Sequence, residues 1–238
     1  DEVEPVTYFE GLGSAATSVF QELRQGFDVR TNHIKDTADF FEKKKKELDI
    51  SDKEMVEWGK QQHVFHFKEG EIILTTPEIM SLLETVKRKQ GKPHVEAGGI
   101  RVSDTEIKAG KVKKIVHMTK AVHITEEQYQ QIVSKLTPKQ VQMADALQQY
   151  MATECANWGN RVSKKMFGYK KFTEKDYFPL KTDASARAVR HSDEQAPSYY
   201  TIKNRSFTKQ IIPHSTNAVV IDDIFNVFTM HVVQMAEY

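Results

Sequence analysis

The chain has 238 residues, 39% hydrophobic and 28% charged, with a formal net charge of +1 and one cysteine, Cys155. This is a folded composition, long enough for one sizeable core or two small ones, and it excludes an intrinsically disordered chain and an internal disulfide framework. No apolar run approaches the roughly 18 residues that span a bilayer, and a lone cysteine favours a reducing, intracellular compartment.

Charge is unevenly spread: residues 1–83 sum to −7, residues 84–181 to +9 and residues 182–238 to −1. A basic middle either pairs with its acidic flanks or faces an anionic partner.

Residues 14–48 read as one long helix, because Phe20, Leu23, Phe27, Ile34, Phe41 and Leu48 recur at spacings that keep them on one face. Lys43 to Lys46 lie near its end, where positive charge complements the helix dipole. A short amphipathic piece follows at 52–61. Val64-Phe65-His66-Phe67 and Glu71-Ile72-Ile73-Leu74 then flank Lys68-Glu69-Gly70 as a β-hairpin. Thr76-Pro77-Glu78 predicts a helix with Thr76 as cap and Pro77 at the first position, and Gly91-Lys92-Pro93 stops it.

Residues 94–124 read as short strands punctuated by Gly98-Gly99 and Gly110, among them 114–116 and 121–124, pairing with the hairpin into one small sheet. Thr125-Glu126-Glu127-Gln128 and Thr137-Pro138-Lys139-Gln140 are capping boxes. The second opens an unbroken helix over 138–166, with Val141, Ala144, Leu147, Met151, Cys155, Trp158, Val162 and Met166 on its packed side and Gly168 closing it. Residues 177–220, rich in Pro, Ser, Thr, Asn and Asp, read as a long loop.

The N-terminus lacks a signal-peptide pattern, and the helical pattern opened by Asp222-Asp223 meets no Gly or Pro before Tyr238. Both ends read as boundaries within a longer protein. The expected fold is mainly α (α+β), a bundle-like arrangement with a small antiparallel β element. Residues 1–62 supply the long and short helices, 63–124 the hairpin, a helix and strands, and 125–238 a helical region with the 177–220 loop, all in one continuous domain.

No residue set reads as catalytic, metal-binding or cofactor-binding. Cys155 sits on an apolar stripe, where burial makes a thiol inert. The pairs His63/His66 and His117/His123 lack a second cysteine or clustered carboxylates to complete a metal site. Asp222-Asp223 reads as helix capping, and neither Gly98-Gly99 nor Gly11-Leu12-Gly13 has the context of a phosphate loop.

One stretch is richer. Between Trp158 and Lys181, Arg161, Lys164, Lys165, Lys170 and Lys171 alternate with Phe167, Tyr169, Phe172, Tyr177 and Phe178. Cations that neutralise phosphates beside rings that stack on bases suit single-stranded nucleic acid. The competing reading has the rings anchoring the loop and the lysines facing water. Arg161, Lys164, Lys165, Lys170 and Lys171 are the candidate phosphate contacts, Tyr169 and Phe172 the candidate stacking rings, and Lys87, Arg88 and Lys89 with Lys92 a second basic cluster if they share the face.

Leu-Thr-Pro at 136–138, Met143-Ala144-Asp145, the run Glu154 to Asn160, Gly168-Tyr169-Lys170-Lys171-Phe172 and Tyr177-Phe178-Pro179 carry a family resemblance. So do Tyr8 to Ala16, Ile79 to Leu82 with Lys87 to Gln90, and Asp222 to Phe225. These segments resemble a region of the very large polyvalent proteins of bacterial prophages and conjugative elements. The resemblance implies an accessory domain in a multi-domain protein that protects or establishes invading DNA, in the bacterial host cytoplasm or delivered with that DNA. It transfers no catalytic residues. The expected function is therefore a non-catalytic accessory domain contacting nucleic acid, with flanking domains of the same polypeptide as further partners. The alternatives are a protein-interaction or virion-structural module, and a cryptic hydrolase or transferase using His191, His214, Asp222 and Asp223.

Overall fold

The computed structural model describes residues 14–68, 70–102, 121–182 and 217–238, with side chains from residue 26 onward. It is mainly helical with small β elements, as expected. Helix α1 (Ser14–Glu47) leads to α2 (Asp52–Lys60), whose cap Ser51 accepts the Glu54 N–H. Strands β1 (Gln62–Phe67) and β2 (Gly70–Thr75) form the antiparallel hairpin, with Val64 opposite Ile73 and Phe65 opposite Ile72. Helix α3 (Thr76–Lys87) follows directly. Its cap is Thr75 rather than Thr76, and the Glu78 carboxylate accepts the Thr75 N–H at 2.6 Å.

The basic helix stop at Gly91-Lys92-Pro93 is also a start, since Gly91–Gly98 forms helix α4 with Pro93 in its first turn. Proline ends one helix yet fits the opening of the next, because the first N–H groups of a helix have no internal partner. Gly99 terminates α4 at a φ of +73°, and β3 (Ile100–Val102) begins there.

The expected single sheet is not formed. β3 pairs in parallel with β5 (Val219–Ile221), and β5 pairs antiparallel with β4 (Lys181–Thr182), while Val122 makes one bridge to Ile100. The two ends of the expected 177–220 loop are thus strands of a second, mixed sheet. Such short strands carry little pattern of their own, and their partners lie more than a hundred residues away for β3 and β5. The expected strand at 114–116 lies outside the described residues.

Both capping boxes are in place, opening α5 (Glu126–Val133) and α6 (Pro138–Tyr150). The long helix that continues α6 is not uniformly α. A π-turn at Met151–Cys155 separates α6 from α7 (Ala156–Phe167). Each four-residue step from Met143 through Leu147 and Met151 to Cys155 overshoots an α-helical turn by about 40°. The wider i→i+5 turn absorbs that drift and keeps all four side chains in one core. Helix α8 (Ile224–Glu237) is capped by Asp223, which accepts the Phe225 and Asn226 N–H groups.

Two apolar clusters result. One gathers Trp58, Met80, Leu147, Tyr150, Cys155, Trp158, Phe178 and the inner face of α8. The other gathers Phe65, Ile72, Ile79, Leu82, Ile100, Ile132, Val219 and Ile221. Helix α3 serves both, with Met80 on one side and Ile79 and Leu82 on the other. Neither cluster coincides with one of the stretches 1–62, 63–124 and 125–238.

The expected apolar face of α1 is buried over only part of its length. Helix α8 runs antiparallel beside it, with Phe41 against Phe225 and Phe228 and Arg30 paired to Glu237 at 3.1 Å. Phe27, nearly a turn further on, is 65% exposed, and Ile34 is also exposed.

Candidate nucleic-acid interface

Helix α7 ends where Gly168 adopts φ +79° and returns its N–H to the Lys164 carbonyl, a left-handed closure that suits glycine. The last turn runs past the surfaces that cover the rest of the helix. Met166, expected on the packed side, is 68% exposed, and Phe167 and Tyr169 are 46% and 59% exposed. The Phe167 and Tyr169 rings lie 6.4 Å apart, tilted by 47°, and the Lys171 ammonium sits 3.5 Å from the Phe167 centroid. Arg161, Lys164, Lys165 and Lys170 are exposed on the same segment. None of these five cations makes an ion pair among the described residues.

The returning chain is held by Asn160, whose amide donates to the Phe172 carbonyl at 2.6 Å and accepts the Phe172 N–H at 2.9 Å. Phe172 lies over Gly159, where a built Cβ would come 2.5 Å from the ring, and meets Tyr238 edge-on at 5.5 Å. Phe172 is therefore a packing residue rather than the stacking ring expected of it. Phe178 is fully buried, and Tyr177 is enclosed beside Arg88 and His231. The aromatic segment thus divides into a buried anchor and an exposed pair.

The second basic cluster does not survive as a free charged surface. Arg88 is buried, donating to both Glu174 oxygens at 2.9 and 2.7 Å and to the Phe178 carbonyl at 2.8 Å. Lys87 bridges Glu84, at 2.9 Å, and Asp145. Lys89 is exposed, and Lys92 pairs with Glu126 at 2.8 Å. The first two cations serve internal carboxylates because α3 lies against α6 and the 174–178 segment, a placement no local pattern announces.

That network borders a feature the sequence reasoning missed. A cleft of ≈370 Å³ lies between α3, α6 and the loop, lined by Glu84, Lys87, Asp145, Gln148, Gln149, Lys175 and Asp176. Burial pushes the Glu84 carboxyl up to about 7, against the hydrogen bond from Lys87. Burial also works against the Lys87 charge, but its bonds to Asp145 and Glu84 outweigh that and raise its pKa. Gln148 donates to the Tyr177 carbonyl at 3.0 Å and fastens the loop over the cleft. The i, i+3 spacing of Glu84 and Lys87 was visible in the sequence, whereas Asp145 joins them only through tertiary packing.

Cys155 is buried, and burial pushes its thiol up to about 12. His63 meets the Thr76 hydroxyl at 3.0 Å and His66 pairs with Glu71 at 3.1 Å. No group of three or more His, Cys, Asp or Glu residues among those described could hold a metal ion. Asp222 accepts the Asp223 N–H and the Asn226 side-chain amide and pairs with Lys181, so Asp223 caps α8 and Asp222 braces the turn that leads into it. His117, His191 and His214 lie outside the described residues. No described helix is long and apolar enough to cross a membrane.

Compared with known proteins, the chain matches no family model, no curated protein and no solved structure.

Proposed function

We propose that this chain is a non-catalytic accessory domain that contacts nucleic acid through the end of α7, working in the bacterial cytoplasm within a large mobile-element protein. One observation carries the contact: Arg161, Lys164, Lys165, Lys170 and Lys171 stand without acidic partners among the described residues, in the same segment as the exposed Phe167 and Tyr169. Cations at a helix C-terminus have an ordinary explanation in the helix dipole. That explanation does not extend to Met166, Phe167 and Tyr169 standing together in solvent beside them. Cationic side chains interleaved with exposed rings supply both terms of nucleic-acid affinity, counterion release and stacking. The mobile-element setting rests on the sequence resemblance.

Fluorescence anisotropy with labelled DNA and RNA at low salt tests this reading. Binding should weaken steeply with salt, and charge reversal at Lys164, Lys165, Lys170 and Lys171 together should abolish it. Absence of binding to any DNA or RNA at low salt overturns the proposal.

A further inference from the structure

We infer that the end of α7 selects unpaired nucleotides over duplex, with Tyr169 as the stacking platform and Phe167 as its support. The inference rests on the nucleic-acid reading above and adds the class of strand that the site takes.

The two exposed rings are not equivalent. Lys171 lies over one face of Phe167, at 3.5 Å from the centroid, so that face is already occupied. Tyr169 is the more exposed ring, and it follows the left-handed turn at Gly168 that ends the helix. The 47° tilt between the rings means that they do not stack on each other, so Phe167 does not cover the Tyr169 face. Phe172 offers no alternative, since it is packed over Gly159 and against Tyr238.

A base can lie on Tyr169 only if its own face is free. In a duplex each face is covered by the neighbouring pair, whereas an unpaired strand presents faces to any ring beside its backbone. Arg161, Lys164 and Lys165 fall within about 6 Å of helical rise, and Lys170 and Lys171 follow the turn. The five cations therefore fall within residues 161–171, a short footprint that includes Tyr169. Five cations limit the salt slope on a single strand to no steeper than about −3.5.

The test compares thymidine and uridine homopolymers with a mixed-sequence duplex in the same anisotropy assay. The single strands should bind about tenfold or more tightly than the duplex. Y169A should remove most of that difference by weakening single-strand binding about tenfold, while Y169F keeps it. The exposure of Tyr169 lets both variants fold, which circular dichroism checks. A preference between the thymidine and uridine strands assigns DNA or RNA, and equal affinity for both also supports the inference. Equal affinity for strand and duplex, or an unchanged Y169A, overturns the inference while leaving the nucleic-acid contact standing. No binding to any nucleic acid overturns both, as does binding of a polyglutamate peptide as tight as that of the strands.

Discussion

Replacing Arg88 by methionine separates a structural cation from a binding one. The guanidinium is buried and makes two bonds to Glu174, one to the Phe178 carbonyl, and a face contact with Tyr177 at 5.1 Å. Methionine keeps most of the aliphatic stem and removes every donor. The Phe178 carbonyl then loses its charged partner inside the protein, at about 1–3 kcal/mol. Glu174 is 34% exposed and can partly rehydrate, so its loss falls below the roughly 3–5 kcal/mol of a fully buried broken pair. The Tyr177 contact adds about 0.5–1 kcal/mol.

Together these give a loss of about 3 kcal/mol, or a melting point lower by about 6–12 °C for a chain of this size. Urea denaturation followed by circular dichroism measures it. Lys164→Met, on the exposed side of α7, should stay within about 0.5 kcal/mol of the parent. The double variant R88M/E174Q should be less unstable than the two single changes summed, because each partner has lost its reason to be buried. If R88M unfolds within about 0.5 kcal/mol of the parent, the network is not holding the 174–178 segment and the reasoning fails.

Two further outcomes follow from the same packing. The Glu84 carboxyl is raised by burial from 4.5 to about 7, so the folded protein binds this proton more tightly than the unfolded chain. Its stabilising contribution is fully present below about 4.5 and is lost as pH rises through about 7. E84Q should flatten that segment of the melting-point profile, and an unchanged slope would contradict the assignment. Gly98→Ala would place a Cβ 2.2 Å from the Asn217 carbonyl oxygen, a backbone atom that cannot rotate away. A loss of about 2 kcal/mol or more is expected in the same denaturation assay, and a neutral result would show that α4 can withdraw from the segment leading into β5.

Local chemistry was readable in advance because it acts over a few residues. The Thr125–Gln128 and Thr137–Gln140 capping boxes, the hairpin around Lys68-Glu69-Gly70, the closure at Gly168 and the burial of Cys155 all follow from neighbouring side chains. Within the candidate site, the cations at 161, 164, 165, 170 and 171 and the ring of Tyr169 were legible for the same reason. Phe172 and Arg88 were not. One is claimed by Asn160, Gly159 and Tyr238, the other by Glu174 and Phe178, partners up to 90 residues apart in sequence.

From its residues alone the chain dictates where most helices begin and end, and that its basic residues gather in the middle. Periodicity, caps and charge runs are properties of short segments. Tertiary structure decides which charges remain free. Packing α3 against α6 and the 174–178 segment draws Lys87 and Arg88 into carboxylate pairs, while the last turn of α7 runs clear and leaves Lys164, Lys165 and Tyr169 in solvent. A charge keeps its long-range field only where the fold brings no opposite charge beside it, and that is settled between distant segments.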